Sequence, residues 1–261
     1  MNSEPNHFKR GILAAERQIG LWSSLCSPTG MEIICEAGFD WILVDSEHAP
    51  VDVPDLMALL QAGSRGGTAL VVRPAANDPV LLKRILDIGA QTVLVPYVQS
   101  VAEAEQAVAS CKYPPAGFRG VSASTRAGRY GRAADYFARA DDEVCVLLQV
   151  ETAEAMEKIA DITAVAGVDG VFIGPSDLAA SMGHIGNPGH PDVQAAIRKG
   201  VKTVRDGGKA AGTLAPKRDD ALRYLEWGFT FVAVGTDITL LVTGTNALQE
   251  SFRLPAVPNV A

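Results

Sequence analysis

Two acidic residues occupy matching positions after two neighbouring apolar segments. Glu151 follows the run 144–150, and Asp177 follows the run 168–173 after a Gly-Pro turn. Each run is short and rich in β-branched residues, which is the pattern of a strand buried on both faces. The two carboxylates could hold a hard divalent cation and leave positions for water and substrate oxygens. They could instead cap the helices that follow, because carboxylates are favoured at helix N-termini.

Other polar residues follow predicted strands elsewhere in the chain. Asp45 ends one apolar run, and His48 follows three positions later. An imidazole there suits general base chemistry near neutral pH, although it could simply bond to Asp45 or Glu47. Arg73 ends another apolar run, where a guanidinium cannot be buried unpaired. It is therefore expected either to pair with a structural carboxylate or to bind a substrate oxyanion.

A glycine-proline turn and an arginine-rich loop could complete the site. Gly174 and Pro175 predict a tight turn that presents Asp177, and the N–H groups beginning the next helix favour a substrate carboxylate. The segment 112–132 is a long loop that could close over an anionic substrate or lie solvated on the surface. Its arginines are Arg119, Arg126, Arg129 and Arg132.

The remaining lysines and histidines predict less chemistry. None of the eight lysines ends a predicted strand at its carboxyl end, so a Schiff-base mechanism lacks a suitable residue. His7 falls in a polar N-terminal tail. His184 and His190 fall in a Gly/Pro loop, where they are expected to be solvated and lack a metal-ligand pattern.

Strand and helix patterns alternate eight times, which predicts an α/β fold of the (β/α)8 barrel type. The barrel is predicted as a single domain over residues 1–261, with tails at 1–10 and 252–261. The predicted strands are 18–24, 41–45, 68–73, 92–96, 144–150, 170–173, 209–213 and 231–234. The predicted helices are 29–37, 53–62, 79–88, 101–111, a short one ending at 140, 153–162, 176–182, 191–206, 217–227 and 237–251. A doubly wound open sheet is the alternative, but its usual phosphate-binding fingerprints are absent from the sequence. Because barrel enzymes carry their active residues at the carboxyl ends of strands, the candidates should meet at one barrel mouth.

Composition limits the class of protein. A net charge of −7 argues against a nucleic-acid surface. The sequence has no apolar run of membrane-spanning length, and the polar N-terminus lacks a signal-peptide core. The four cysteines have no CxxC spacing and are expected to be free thiols in a reducing cytoplasm.

Four short runs at predicted strand ends form a specific combination. They are Trp-Ile-Leu-Val-Asp-Ser-Glu-His at 41–48, Val-Arg-Pro at 72–74, Gln-Val-Glu-Thr at 149–152 and Ile-Gly-Pro-Ser-Asp-Leu at 173–178. Together they resemble the HpcH/HpaI aldolases, a family of class II, metal-dependent, pyruvate-utilising enzymes. The resemblance extends over about residues 11–241, which is nearly the whole chain.

The resemblance implies a role for each matching residue. Glu151 and Asp177 would bind Mg²⁺, Mn²⁺ or Co²⁺, His48 would be the base, and Arg73 would stabilise the enolate. Asp45 would help to orient the site. The expected substrate-binding residues are Arg73, Gln149, Gly174, Pro175, Ser176 and Leu214. Asp87 matches a family aspartate that pairs with the histidine of a neighbouring subunit. Asp87 would lie near the end of a helix that is far from the mouth of its own barrel. Only a contact between subunits could therefore bring it to the mouth of a barrel.

The resemblance also implies the reaction and the assembly. A 4-hydroxy-2-oxo acid would be cleaved reversibly to pyruvate, or a close 2-oxo acid, and an aldehyde through a metal-bound enolate. The barrels would form a hexamer, a trimer of dimers, with the last helix swapped between partners. There are two competing hypotheses. The protein could be an oxaloacetate decarboxylase or an acyl-CoA lyase that uses the same site, or it could be a non-catalytic sensor of oxo acids.

Overall fold

Eight parallel strands close into a barrel, as the alternating pattern predicts. The computed structural model of the protein describes residues 4–253. The strands are β1 Gln18–Ser23, β2 Trp41–Asp45, β3 Ala69–Arg73, β4 Thr92–Val95, β5 Cys145–Val150, β6 Gly170–Ile173, β7 Ala210–Leu214 and β8 Phe231–Thr236. Each strand pairs with the next, and β8 returns to β1 with Phe231 opposite Gln18. The (β/α)8 prediction is confirmed.

Helices surround the barrel and mostly begin where the sequence signals a start. They are α1 His7–Leu13, α2 Pro28–Cys35, α3 Val53–Ala62, α4 Pro79–Asp87, α5 Val101–Cys111, α6 Tyr136–Glu143, α7 Ala153–Glu157, α8 Ile159–Ala164, α9 Pro175–Ser181, α10 Pro191–Asp206, α11 Arg218–Trp227 and α12 Asp237–Ser251. Capping side chains fix several starts, and Ser100 and Thr152 each accept a backbone N–H of the first turn. The predicted single helix 153–162 is wrong, because the chain breaks at Lys158 without a Gly or Pro signal.

Large aromatic side chains fill the barrel interior. Trp22, Trp41, Phe172 and Phe231 belong to one buried cluster, in which neighbouring rings meet at tilted or edge-on angles. Gly20 makes room for Trp41, because a Cβ at that position would lie 2.2 Å from the indole. The second buried cluster lies between the strands and the helices, so both faces of each strand are covered.

The N-terminal segment is not the tail that the sequence predicts. Asn6 caps α1 by accepting the N–H of Lys9 at 2.9 Å, and the helix then buries Phe8 and Ile12. The Phe8 ring packs against Trp41 and Phe231, with centroids 5.8 and 5.7 Å apart. The helix therefore closes the amino-terminal end of the barrel. Apolar residues four positions apart on one helical face explain why a mostly polar segment is ordered.

The last helix is held at its start and exposed beyond it. The carboxylate of Asp237 accepts the Ser23 hydroxyl at 2.8 Å and the N–H of Ser24 at 3.0 Å, which joins α12 to the end of β1. Asp237 is the one buried residue of α12. Its apolar side chains are exposed at Ile238, Leu240, Leu241, Val242 and Leu248. Of the predicted tail 252–261, residues 254–261 lie outside the described part of the chain.

Two expectations from composition also have structural outcomes. All four cysteines are free thiols, as predicted. Within residues 4–253, no helix combines the length and apolar character needed to cross a bilayer.

Candidate active site

A cavity of about 330 Å³ opens at the carboxyl ends of the strands. Its lining includes every predicted site residue except Asp87, because the parallel strands all end at this mouth. The lining residues are Trp22, Ser24, Asp45, His48, Arg73, Gln149, Glu151, Phe172, Gly174, Pro175, Ser176, Asp177, Leu214, Thr236 and Ile238. There is no lysine among these described residues, which agrees with the expectation that no Schiff base forms here.

Glu151 is a buried carboxylate held by neighbouring donors. The side-chain amide of Gln149 donates to Oε2 at 2.5 Å, and the N–H of Tyr97 donates to Oε1 at 3.2 Å. Gly174 lets the two segments approach, because a Cβ there would lie 2.6 Å from Oε2. The helix-capping alternative does not apply to Glu151, since Thr152 caps α7.

Asp177 faces the same cavity from the opposite segment. It lies in the first turn of α9, which begins directly after Gly174. Its carboxylate is exposed, whereas that of Glu151 is buried. The pair therefore combines one fixed inner carboxylate with one carboxylate open to the mouth.

The charges around Glu151 favour a bound cation. Burial raises the pKa of Glu151 to about 7. The hydrogen bond from Gln149 opposes this rise, whereas the negative charges of Asp177 and Glu47 add to it. A proton or a metal ion can neutralise this excess of acidic groups. Near neutral pH, the two therefore compete for Glu151.

Arg73 is fixed in the mouth by two carboxylates and an aromatic ring. Its Nε and Nη2 donate to Oδ1 and Oδ2 of Asp45 at 2.9 and 2.7 Å. Its Nη1 lies 2.6 Å from Oε2 of Glu47, and its guanidinium carbon lies 4.5 Å from the centre of the Trp22 ring. Of the two roles that the sequence leaves open, pairing with carboxylates is thus present. The hydrogen bonds to Asp45 use two of the five N–H donors of the guanidinium, and the contact with Glu47 is an ion pair.

Asp45 holds Arg73 and also fixes the backbone at the end of β2. Burial alone would raise the pKa of Asp45, but the hydrogen bonds and charge of Arg73, with the Trp22 N–H donor, lower it below its usual value. The same carboxylate accepts the backbone N–H groups of Glu47 and His48 at 3.0 and 3.3 Å. It is therefore ionised and fixes the turn that carries His48.

His48 lies at the rim of the cavity. Its side chain is 68% exposed, and its Nε2 is 3.9 Å from Oε2 of Glu47. The imidazole can therefore reach both solvent and the cavity, as a group that exchanges protons must.

Sequence reasoning did not assign a role to Glu47, which the structure places between Arg73 and His48. Burial raises the pKa of Glu47, and the charge of Arg73 opposes this rise. The sequence signal that could have indicated Glu47 is its position as a second acidic residue, two positions after Asp45 at the end of a strand. Trp22, which stacks on Arg73, was also missed, because its position in a strand resembles that of an ordinary core residue.

Asp87 and the arginine-rich loop lie away from this cavity. Asp87 ends α4, and its Oδ1 accepts from Nη2 of Arg119 at 2.7 Å. Arg119 is buried and also donates to the hydroxyl of Tyr136 at 3.1 Å. These contacts hold Arg119 beside α4, away from the cavity of its own barrel.

The other loop arginines line a second and larger cavity of about 570 Å³. It lies beside the starts of β4 and β5, at the amino-terminal end of the barrel, and it includes Arg126, Arg129 and Arg132. Arg126 donates to the carbonyl of Ile88 at 2.7 Å, which fixes the loop there. The loop therefore does not cover the mouth of its own barrel. The cavity at the carboxyl ends remains the candidate active site, because the acid pair, guanidinium and imidazole meet there.

Known proteins resemble this chain over most of its length. A family model described as HpcH/HpaI aldolase/citrate lyase matches residues 18–244. The chain is 53% identical to a pyruvate aldolase of Rhizobium etli, covering 95% of this chain and 97% of the relative. It is also 53% identical to a 4-hydroxy-2-oxo-heptane-1,7-dioate aldolase of Klebsiella pneumoniae, with coverage of 95% and 94%.

A solved structure from Burkholderia cenocepacia, named as an HpcH/HpaI aldolase/citrate lyase family protein, superposes with a TM-score of 0.92. It is 37% identical and covers 95% of this chain and 100% of its own. The chain therefore belongs to the HpcH/HpaI aldolase/citrate lyase family, and it is an aldolase, a carbon–carbon lyase.

Proposed function

We propose that the enzyme reversibly cleaves 4-hydroxy-2-oxo acids to pyruvate, or a close 2-oxo acid, and an aldehyde through an enolate. The observation that carries this proposal is the meeting of Glu151, Asp177, Arg73 and His48 at one cavity. The names of the Rhizobium and Klebsiella relatives support pyruvate as the product that carries the oxo group.

A divalent cation, Mg²⁺, Mn²⁺ or Co²⁺, would be held by Glu151 and Asp177. The donor set fits such an ion, because carboxylate oxygens are the ligands that hard cations prefer. Glu151 is already oriented by Gln149. Burial raises its pKa, and so do the negative charges of Asp177 and Glu47, which a cation would offset. When bound, the ion would act as a Lewis acid toward the oxygens of the 2-oxo acid.

Arg73 is the residue that we assign to the developing enolate oxygen. Asp45, Glu47 and Trp22 hold its guanidinium in place before the substrate arrives. The hydrogen bonds to Asp45 use Nε and one N–H of Nη2, so N–H groups of Nη1 and Nη2 can still be donated to an oxyanion. Donors that are fixed in advance stabilise such a charge without reorganising, which is where catalysis by hydrogen bonding gains most.

His48 is the group that we propose takes the methyl proton, directly or through water. Its exposed position at the rim lets it give that proton to the aldehyde oxygen as the carbon–carbon bond forms. In cleavage it takes the proton of the 4-hydroxyl group and returns a proton to the enolate carbon. Gln149 and the segment Gly174 to Ser176 would bind the 2-oxo acid beside the acid pair. Leu214 would limit the space for the aldehyde portion.

We propose that a homo-oligomer, a hexamer of swapped dimers, covers the exposed helix α12. Its apolar side chains form a surface that one barrel does not bury, and burying them against a second copy is favourable. The same assembly would bring Asp87 of one subunit towards His48 of another. Asp87 is 22% exposed beside Arg119, so its carboxylate remains partly accessible for such a contact.

A subunit-mixing experiment tests the shared site. Inactive His48→Ala and Asp87→Ala enzymes are mixed under conditions in which labelled subunits exchange. If the pair crosses an interface, some mixed sites carry neither lesion, and activity partly returns. If subunits exchange and no activity returns, the pairing of Asp87 with His48 is wrong.

The cytoplasm is the compartment that we propose, because four free thiols suit a reducing environment. Small-molecule substrates are the expected ligands, and neither nucleic acid nor a membrane is an expected partner. The net charge of −7 supports this assignment.

Chelation tests the reaction class. Purified enzyme is incubated with 4-hydroxy-2-oxo-heptane-1,7-dioate, and pyruvate release is followed with a coupled dehydrogenase. Excess chelator should abolish release, and added Mg²⁺, Mn²⁺ or Co²⁺ should restore it. Full activity in chelator, together with a borohydride-trapped lysine adduct, would show a Schiff-base enzyme instead.

A further inference from the structure

His184, His190 and Asp192 form a cluster outside the candidate active site. The sequence predicts two solvated histidines without a ligand pattern, and the structure places the two side chains against each other, partly exposed. The two imidazole rings stack with centroids 3.5 Å apart and planes 13° apart. Their side chains are only 28% and 31% exposed. None of the three residues lines the cavity at the barrel mouth.

The loop between α9 and α10 builds this cluster. The N–H of His184 donates to the carbonyl of Ala179 at 2.7 Å. The N–H of Asn187 donates to the carbonyl of His184, and the N–H of His190 donates to the carbonyl of Asn187. These successive turns reverse the direction of the chain and bring His184 and His190, six positions apart, into contact. Such a return cannot be read from residue types alone, because it depends on the conformation of each turn.

We propose that His184, His190 and Asp192 bind a transition-metal ion such as Zn²⁺, Co²⁺, Ni²⁺ or Cu²⁺. Oδ2 of Asp192 lies 3.8 Å from Nε2 of His184 and 3.7 Å from Nδ1 of His190. One donor atom from each of the three residues can be chosen so that all lie within 4.8 Å of one another. Imidazole nitrogens with a carboxylate oxygen suit these ions, whereas Mg²⁺ prefers oxygen ligands.

The distances from Asp192 to the two histidines need only a small contraction, but the two imidazoles must also turn out of their stack, because each nitrogen lone pair lies in the plane of its ring. Ligands on a tetrahedral ion with bonds of about 2.0–2.1 Å lie roughly 3.3–3.4 Å apart. The donors of Asp192 would therefore move by about 0.4 Å toward each histidine. The rings must turn away from parallel before their lone pairs can converge on one ion, and rotation about the side-chain bonds of these partly exposed residues allows it. Three protein ligands would leave a fourth position for water.

Two local interactions oppose the ion, and both are weak. Nδ1 of His190 accepts the backbone N–H of Asp192 at 3.3 Å, which is a long capping bond. An ion at Nδ1 would take the lone pair that this bond uses. The positive end of the α10 dipole also disfavours a cation, and the negative charge of Asp192 offsets it.

A bound ion would act as a clamp on the loop that follows α9. That helix carries Asp177 in its first turn, and the loop joins it to α10. The ion would tie His184 to the start of α10 without entering the barrel mouth. Binding to the folded protein alone would also raise its stability in proportion to the logarithm of ion concentration.

Electron paramagnetic resonance of bound Cu²⁺ tests the proposal. The full-length protein is first saturated with Mg²⁺, and Cu²⁺ is then added below one equivalent per chain. The expected spectrum shows coupling to two imidazole nitrogens. The mouth offers mainly carboxylate oxygens and the single imidazole of His48, so it cannot give that signal from one ion. A spectrum with oxygen ligands only, or with one nitrogen, would overturn the proposal.

Matched variants locate the site. His190→Asn removes the imidazole and keeps a side-chain acceptor that can cap α10. His184→Gln removes the other ring, and His7→Gln is the control at an exposed position of α1. The first two variants should lose the two-nitrogen signal and bind Zn²⁺ at least about tenfold more weakly, as is usual when a ligand group is lost. The control should match the wild type.

Activity separates this proposal from the proposed function. Mg²⁺-supported pyruvate release should be unchanged in His184→Gln and His190→Asn, because neither residue lies at the mouth. Melting temperatures in chelator should match the wild type, which verifies folding. A two-nitrogen signal that persists in both variants would show that the ion binds elsewhere and that the assignment is wrong.

Discussion

Metal binding at the candidate active site should depend steeply on pH, because the ion must displace a proton from Glu151. Burial raises the pKa of this carboxyl to about 7. It is then about three-quarters ionised at pH 7.5 and only about 3% ionised at pH 5.5, so Mn²⁺ affinity should fall about 25-fold between them. A carboxyl with an ordinary pKa near 4.3 would stay about 90% ionised at pH 5.5 and would change the affinity less than about twofold.

Isothermal titration calorimetry measures both the affinity and the protons released. Titrations of metal-free enzyme with Mn²⁺ at each pH, in two buffers of different ionisation enthalpy, give the number of protons lost per ion. About one proton should be released at pH 5.5 and about one quarter of a proton at pH 7.5. The Glu151→Gln variant should bind more weakly and lose most of this pH dependence.

A matched carboxylate serves as the control for this titration. Glu154 is exposed on α7 and pairs with Lys158 at 2.7 Å, three positions from Glu151. Glu154→Gln should leave both affinity and proton release unchanged, since Glu154 does not line the cavity. An affinity that stays within twofold across the range, without proton release, would refute the reasoning about Glu151.

Three other predictions concern residues around the site and the barrel. Arg73→Lys keeps the charge but loses the planar guanidinium that Asp45 and Glu47 hold, so kcat should fall by about 10²-fold or more in steady-state kinetics. An unchanged kcat together with lower stability would mean that the role of Arg73 is structural only. Phe8→Ala should lower the free energy of unfolding by about 3–5 kcal/mol in urea titrations, because it leaves a cavity beside the rings of Trp41 and Phe231. A loss below about 1 kcal/mol would mean that α1 does not close the core. Without metal, the raised pKa of Glu151 should make the protein less stable as pH rises from about 4.5 to 7, because the folded state holds the proton more tightly. The loss should be at most about 3 kcal/mol, and Glu151→Gln should remove it.

The barrel was predictable because its signals are local and repeated. Each strand is an apolar run bounded by a turn signal, and several helices begin at a capping residue or Pro. The parallel arrangement then determines that Arg73, Glu151 and Asp177 end at the same mouth, whatever the details of packing. For this reason, the positions of the acid pair and of the guanidinium followed from the sequence.

The contacts between distant segments were not predictable in the same way. The place of Arg119 beside Asp87 depends on the path of a long loop, and no periodic pattern encodes that path. Helix α1 has only seven residues, so its two buried apolar side chains form a weak pattern. Stacking of His184 on His190 depends on a series of turns. Glu47 was readable as an acid at a strand end, but its contact with Arg73 required the folded geometry.

Exchange of the pyruvate methyl protons in D₂O tests the central claim most directly. If the mouth forms an enolate, enzyme with Mg²⁺ should incorporate deuterium into pyruvate without any aldehyde, as followed by proton NMR. Arg73→Lys and Asp177→Asn should slow this exchange by about 10²-fold or more, since each removes stabilisation of the developing charge. Exchange no faster than in buffer, with folded wild-type enzyme that binds Mg²⁺, would contradict the claim that this cavity makes an enolate.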